Sequence, residues 1–144
     1  MSRVINTNSP AKIRNQNRRT IAELLRRLSQ KGTMDAESRD MAAAIVGYLM
    51  EIHAGVLVTV EAWEKRGYWV KAERFTSEWV WAHECAANLD DVLRHEAWDL
   101  LPDLIMELFP HFNDIEIKTM TRKPIFWQDA YARLLAQPPV EAPW

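Results

Sequence analysis

Residues 41–60 read MAAAIVGYLMEIHAGVLVTV, and this stretch decides the fold. It contains one charged residue, Glu51, and one histidine, His53. Good helix formers run on both sides of it without a proline, from Asp35, a residue suited to N-capping, to the breaker Gly67. The stretch is therefore the middle of a helix over about 36–66, on the order of 45 Å long at 1.5 Å per residue. A bundle helix ordinarily keeps one polar face. This one is apolar nearly all round, so it is either enclosed on every side or shows apolar surface to something else. Twenty apolar residues could also cross a bilayer. Glu51 at mid-span, the run Ala42–Ala44, two glycines and the charge on the flanking helices argue against that.

Working outward, the first helix opens at Ser9-Pro10, an N-cap followed by a proline at the first helical position, and ends at Gly32. Ile13, Ile21, Leu24, Leu25 and Leu28 form its apolar stripe. Helix two starts at Asp35 with Ser38, not Glu, three residues on, so a full capping box is absent. Helix three covers about 68–88. Tyr68, Ala72, Phe75, Trp79, Ala82 and Ala86 recur at spacings of three and four and make its inward face. The short turn at Gly67 makes helices two and three antiparallel neighbours. A short helix to about Glu96 follows, then one opening near Asp99 with Pro102 in its first turn and Pro110 as its stop. Residues 111–123 read as a connector in which Ile115 and Ile117 alternate. A last helix runs from Pro124 to near Gln137, and the tail 138–144 frays with Trp144 exposed. The expectation is an all-α fold. One domain, residues 1–137, forms a bundle of about five helices, with a long central helix antiparallel to a Trp-rich one.

Composition agrees. A chain of 144 residues, 48% hydrophobic and 26% charged, suits one globular domain. Four glycines are too few for a turn-rich β protein or a Gly-rich phosphate loop. The single cysteine, Cys85, excludes an internal disulfide, and the opening MSRVINTNSPAKIRNQNRR has no apolar signal core; both fit a cytoplasmic location. Charge is divided, with +7 over residues 1–33 and −9 over the remainder. A basic arm for nucleic acid is one reading, and a basic first helix lying on an acidic bundle is the other. No recognition helix or RNA-binding motif accompanies the charge, and no GxSxG, HExxH or Walker motif is present.

The segments MSRVINTNSP, EAWEKRGYWVKAERF and EAWDLLP…ELFPHF carry a resemblance over most of the chain to a small family of uncharacterised bacterial all-helical proteins. The resemblance implies a compact helical bundle and no particular chemistry. This chain departs from the family at Met50, Leu57, Val58 and Val80, where the family carries charge. The departure implies a natural scaffold redesigned to carry a new site.

These departures fall where the pattern itself places a site. Pivoting about Gly67 sets Gly47, Met50, Ala54, Leu57 and Val58 of helix two beside Thr76, Ser77, Val80, His83 and Glu84 of helix three, with Trp81 and Trp69 alongside. The small residues Gly47, Ala54, Gly55 and Ser77 leave room there, and a mid-helix glycine costs roughly 1 kcal/mol against alanine. The expected function is a binding module with a small ligand, a divalent transition metal or a protein partner on this face. His53 and His83 with Glu84 or Glu51 are the candidate metal ligands, since consecutive residues on a helix point about 100° apart and cannot all converge. A Cys85–His53 dyad is one nucleophilic arrangement the spacing permits, and a buried lysine amine, from Lys65 or Lys71 near the helix two–three turn, is the other option. Nucleic-acid binding through the basic first helix is the alternative from another class.

Overall fold

The computed structural model describes residues 9–144. Residues 1–8, which hold Arg3 of the basic arm and most of the opening segment of the resemblance, lie outside the described residues. Five α-helices follow in order: α1 (Pro10–Gln30), α2 (Ala36–Lys65), α3 (Trp69–Arg94), α4 (Leu101–Leu108) and α5 (Ala130–Leu135). Short 3-10 turns stand at Trp98–Leu100, Phe109–Phe112 and Pro124–Phe126. The fold is an all-helical bundle, with no strand among the described residues; the alternating Ile115 and Ile117 lie in irregular chain.

The caps are those the sequence dictates. Ser9 Oγ accepts from the Lys12 backbone N–H at 3.3 Å, and Asp35 Oδ1 accepts from that of Ser38 at 2.8 Å. At the far end of α2, Gly67 has φ +80°, its N–H donates to the carbonyl of Glu64, and the N–H of Tyr68 donates to that of Trp63. This paired left-handed cap stops the helix and turns the chain straight into α3. The same pairing closes α3, with Ala97 donating to Val92 and Glu96 to Leu93, but there a glutamate at φ 52° takes the left-handed position. One boundary is thereby corrected. α3 does not end at Asn88; it runs unbroken to Arg94, because Leu89, Val92 and Leu93 are all buried and nothing in between breaks the helix.

α2 is the hub, packed against α3, α1 and α5. Pro10 at the start of α1 lies beside Gly55 of α2. α5 is fastened to the other end of α2, where the Asp40 carboxylate accepts from the backbone N–H groups of Asp129 at 3.2 Å and Tyr131 at 3.0 Å. These neighbours divide helix two into unlike halves. Met41 to Val46 are all buried, and this half is apolar all round because it is covered all round. Beyond Leu49 only Ile52 and Val56 stay buried, while Ala54, Leu57 and Val58 are exposed. The last ten residues of α2 reach past the start of α1 by about 15 Å at 1.5 Å per residue, carrying the first turns of α3 with them as a projecting hairpin.

Two buried carboxylates tie irregular chain to this frame. Glu23 of α1 accepts from Arg19 Nε at 2.7 Å, the N–H and hydroxyl of Thr121 at 2.5 and 2.6 Å, and the N–H of Arg122 at 2.9 Å, which fixes the connector. Asp90 of α3 accepts from Arg94 Nε and from the N–H of Val140. The tail, expected to fray, therefore lies along α3 as far as Glu141, and Trp144 is 72% exposed.

Candidate functional site: the outer face of the α2–α3 hairpin

Helical phase places Met50 and Leu57 of α2 and Thr76, Ser77 and Val80 of α3 on one side of the hairpin, away from α1, with Ala54 on its border toward α1. His53 and His83 form the seam between them, ring centroids 4.1 Å apart and planes 30° from parallel. The antiparallel pairing expected from the short turn at Gly67 is present, with His53 level with His83. Exposure follows the phase. Leu57 is 52% exposed, Val58 58% and Val80 39%; Ala54, Thr76 and Ser77 are exposed; Met50 is half-buried. Val58 and Ala54 also border an open groove beneath Pro10 and Ile13.

The face is open and not a pocket. The His53–His83 contact closes the seam between the two helices at that level. Three further expectations are corrected. Trp81 does not line this face: it stacks on His111 at 3.9 Å and meets Phe112 edge-on, on the flank of α3 that packs against the Phe109–Phe112 turn. Gly47 leaves no space for a ligand between α2 and α3; it faces the α5 side, in a shallow groove with Tyr48, Glu51 and Arg133, where a Cβ would meet nothing within 4 Å. The metal set does not assemble. His53 and His83 touch, but Glu84 and Glu51 do not complete a site, and no three His, Cys, Asp or Glu side chains are grouped to hold an ion among the described residues.

The seam's chemistry is that of packing. Burial pushes the His53 pKa down, and neighbouring His83 pushes it further, so the neutral ring is favoured. His83 Nε2 lies 2.6 Å from the Glu141 carbonyl and donates to it, which ends the tail's course along α3 at the edge of the open face. Cys85 is half-buried; burial first, then Glu107 and Glu84, raise its thiol to about 11. A thiol held there is not a nucleophile near neutral pH, and the ring that His53 meets is His83, not the thiol.

Two features escaped the sequence reading. The hairpin tip is bare: Tyr68 is 51% exposed, Trp69 63% and Val70 70%. Tyr68 fits the inward period of helix three, but the helices that would cover it end short of it. A cleft of about 310 Å³ opens between the α1–α2 turn and α4, lined by Leu28, Met34, Trp98, Leu101, Ile105 and Met106. It is assembled from segments 60 to 80 residues apart, which no local pattern reports. On α1, Arg18 is held by Asp114 at 2.6 and 3.0 Å, Arg19 by Glu23, and Lys31 by Glu37, while Arg14 lies over Phe75 and Trp79.

Comparison with models of known protein families, with curated proteins and with solved structures finds no match.

Proposed function

We propose that the chain is a protein-binding module whose docking surface is the outer half of the α2–α3 hairpin. One observation carries the reading. Seven of the twelve exposed large hydrophobic residues among the described residues, namely Leu57, Val58, Tyr68, Trp69, Val70, Val80 and Trp144, lie on that hairpin or at the tail end beside it. Single exposed apolar residues are ordinary on a monomer's surface, but a contiguous set on one projecting element marks an interaction site. Nucleic-acid binding through α1 draws little support, because most of the described cations of that helix already serve acids or rings of the bundle. On the docking reading, apolar residues at 50, 57, 58 and 80, where the resembled family carries charge, are what a scaffold redesigned to dock would show.

The test is site-specific photo-crosslinking in cells that make the chain. A photoreactive residue replacing Leu57 or Val80 is expected to capture a polypeptide that one replacing exposed Lys118 does not. Equal or absent capture at all three positions overturns the reading.

A further inference from the structure

We infer that the cleft between the α1–α2 turn and α4 is a second, separate binding site, which takes a neutral aromatic compound of two fused rings. It lies at the end of α2 opposite the hairpin tip and stands whether or not the hairpin docks a protein.

The way α4 is held opens the cleft. α4 packs on α3 and reaches α1 through the Phe109–Phe112 turn. Leu101 and Ile105 form a buried floor, while Met106 at the rim is 65% exposed. On the other wall the chain turns at Gly32, where even a Cβ would meet nothing within 4 Å. Leu28 and Met34, on either side of that turn, are only half-buried. Ligand sites are concave and mainly apolar, from about 300 Å³ upward, with a few polar groups on the wall. This cleft, at about 310 Å³, has that make-up.

Charge sets the chemistry. Among the described residues Lys31 is the one ionic side chain on the wall, and its ammonium is held by Glu37 at 2.7 Å and Asp35 at 3.1 Å. Ser29 Oγ donates to the Arg26 carbonyl, and Ser38 Oγ lies 2.8 Å from Asp35 Oδ1 and 3.1 Å from the Thr33 carbonyl. The ammonium and both serines are thus engaged within the protein. An anion would meet two carboxylates around one ammonium, and a cation would leave water for a wall without a carboxylate. What the wall offers a ligand is apolar surface with the uncharged polar groups of Thr33 and Trp98.

Size sets the class. A cavity of roughly 150 Å³ holds one benzene ring, so about 310 Å³ suits two fused rings. Trp98 and Phe109 stand beyond the two ends of α4, a helix about 12 Å long at 1.5 Å per residue, and offer aromatic partners to the ring edges. Met34 and Met106 line the cleft between them; thioethers make favourable contacts with aromatic rings and adjust to their outline.

The test titrates 2-naphthol, with 2-naphthoate as its charged counterpart, into protein carrying ¹³C-labelled methionine methyl groups, each assigned by replacement with leucine. The Met34 and Met106 signals are expected to move upfield, as methyls over a ring face do, while those of Met50 and Met120 stay. The dissociation constant for 2-naphthol should be on the order of 0.2 mM, and that for 2-naphthoate about tenfold weaker. Met106→Glu, followed at the Met34 methyl, should weaken 2-naphthol about fivefold. Ile125→Glu, at an exposed site away from the cleft, should leave it unchanged, with circular dichroism confirming that both variants fold. Still Met34 and Met106 signals, movement shared by Met50, indifference to Met106→Glu, or 2-naphthoate bound as tightly as 2-naphthol overturns the inference.

Discussion

Asp90 and Arg94 grip each other across one turn of α3, with Nε 2.9 and 3.0 Å from the two carboxylate oxygens, and together they hold the C-terminal tail. Asp90 also accepts from the Val140 N–H, while Arg94 donates to the carbonyls of Leu134 and Pro138. Asp90 is 2% exposed and Arg94 14%, so removing either side strands a buried charge. Asp90→Ala is expected to cost about 3 kcal/mol in urea denaturation. Amide exchange at Val140 should rise toward that of an open segment. If the Val140 amide exchanges no faster in the variant, the tail is held by something else.

Glu23 makes the fold acid-sensitive. Burial alone would raise its carboxyl, but hydrogen bonds from Thr121, Arg19 and Arg122 outweigh burial and bring it from 4.5 to about 2. A depressed folded-state value means that the stabilisation is complete above the unfolded value and drains as pH falls from about 4.5 toward 2. Asp35, held at about 2 by the N–H and hydroxyl of Ser38, adds to the same limb. Glu23→Gln should therefore lower the melting temperature at pH 7 and shrink, without abolishing, its decline over that range. An undiminished acid limb would exclude Glu23 as its source.

The two halves of helix two should respond oppositely to mutation. Ile52→Ala, at a site 1% exposed, is expected to cost about 3 kcal/mol. Leu57→Ser, at a site 52% exposed, should shift monomer stability by no more than about 0.5 kcal/mol. Gly47→Ala should stabilise by about 0.8 kcal/mol, since its Cβ meets nothing and the helix gains a better former. Thermal unfolding reads all three, and a loss at Gly47 would show that the space there is used.

The His53–His83 seam predicts a second pH effect. His53 and His111 both sit below the ordinary 6.5, chiefly through burial, so the fold favours the neutral ring of each. Stability is full above the unfolded value and declines as pH drops below about 6.5 through the lowered folded values. His53→Asn should flatten part of that decline, and a proton titration by NMR should place His53 beneath free imidazole. A His53 titrating at or above 6.5 would contradict the packing described.

Much of this architecture was legible, for identifiable reasons. Gly67, Ser9-Pro10 and Asp35 are local devices whose chemistry acts within four residues, so they announced the helices and the antiparallel turn. The stripes at Met50, Ala54, Leu57 and Val80 followed from phase alone. What the periodicity could not report was cover. Whether an apolar residue is enclosed depends on how far its neighbours extend, and α1 begins at the level of Gly55, leaving Leu57 bare and Met41 sealed by one and the same pattern. Trp81 was misplaced because its partner, His111, arrives from a turn 30 residues on. The end of α3 was missed because Glu96 occupies a backbone conformation that glycine usually marks.

That glutamate bears on how the scaffold could be improved. A side chain in the left-handed region costs roughly 1 kcal/mol relative to glycine, and Glu96 is exposed. Trimming it to glycine would relax the joint between the long hairpin and the shorter C-terminal helices while leaving every hydrophobic contact intact. The joint thus offers thermal headroom to any variant whose altered hairpin surface has lowered its melting point.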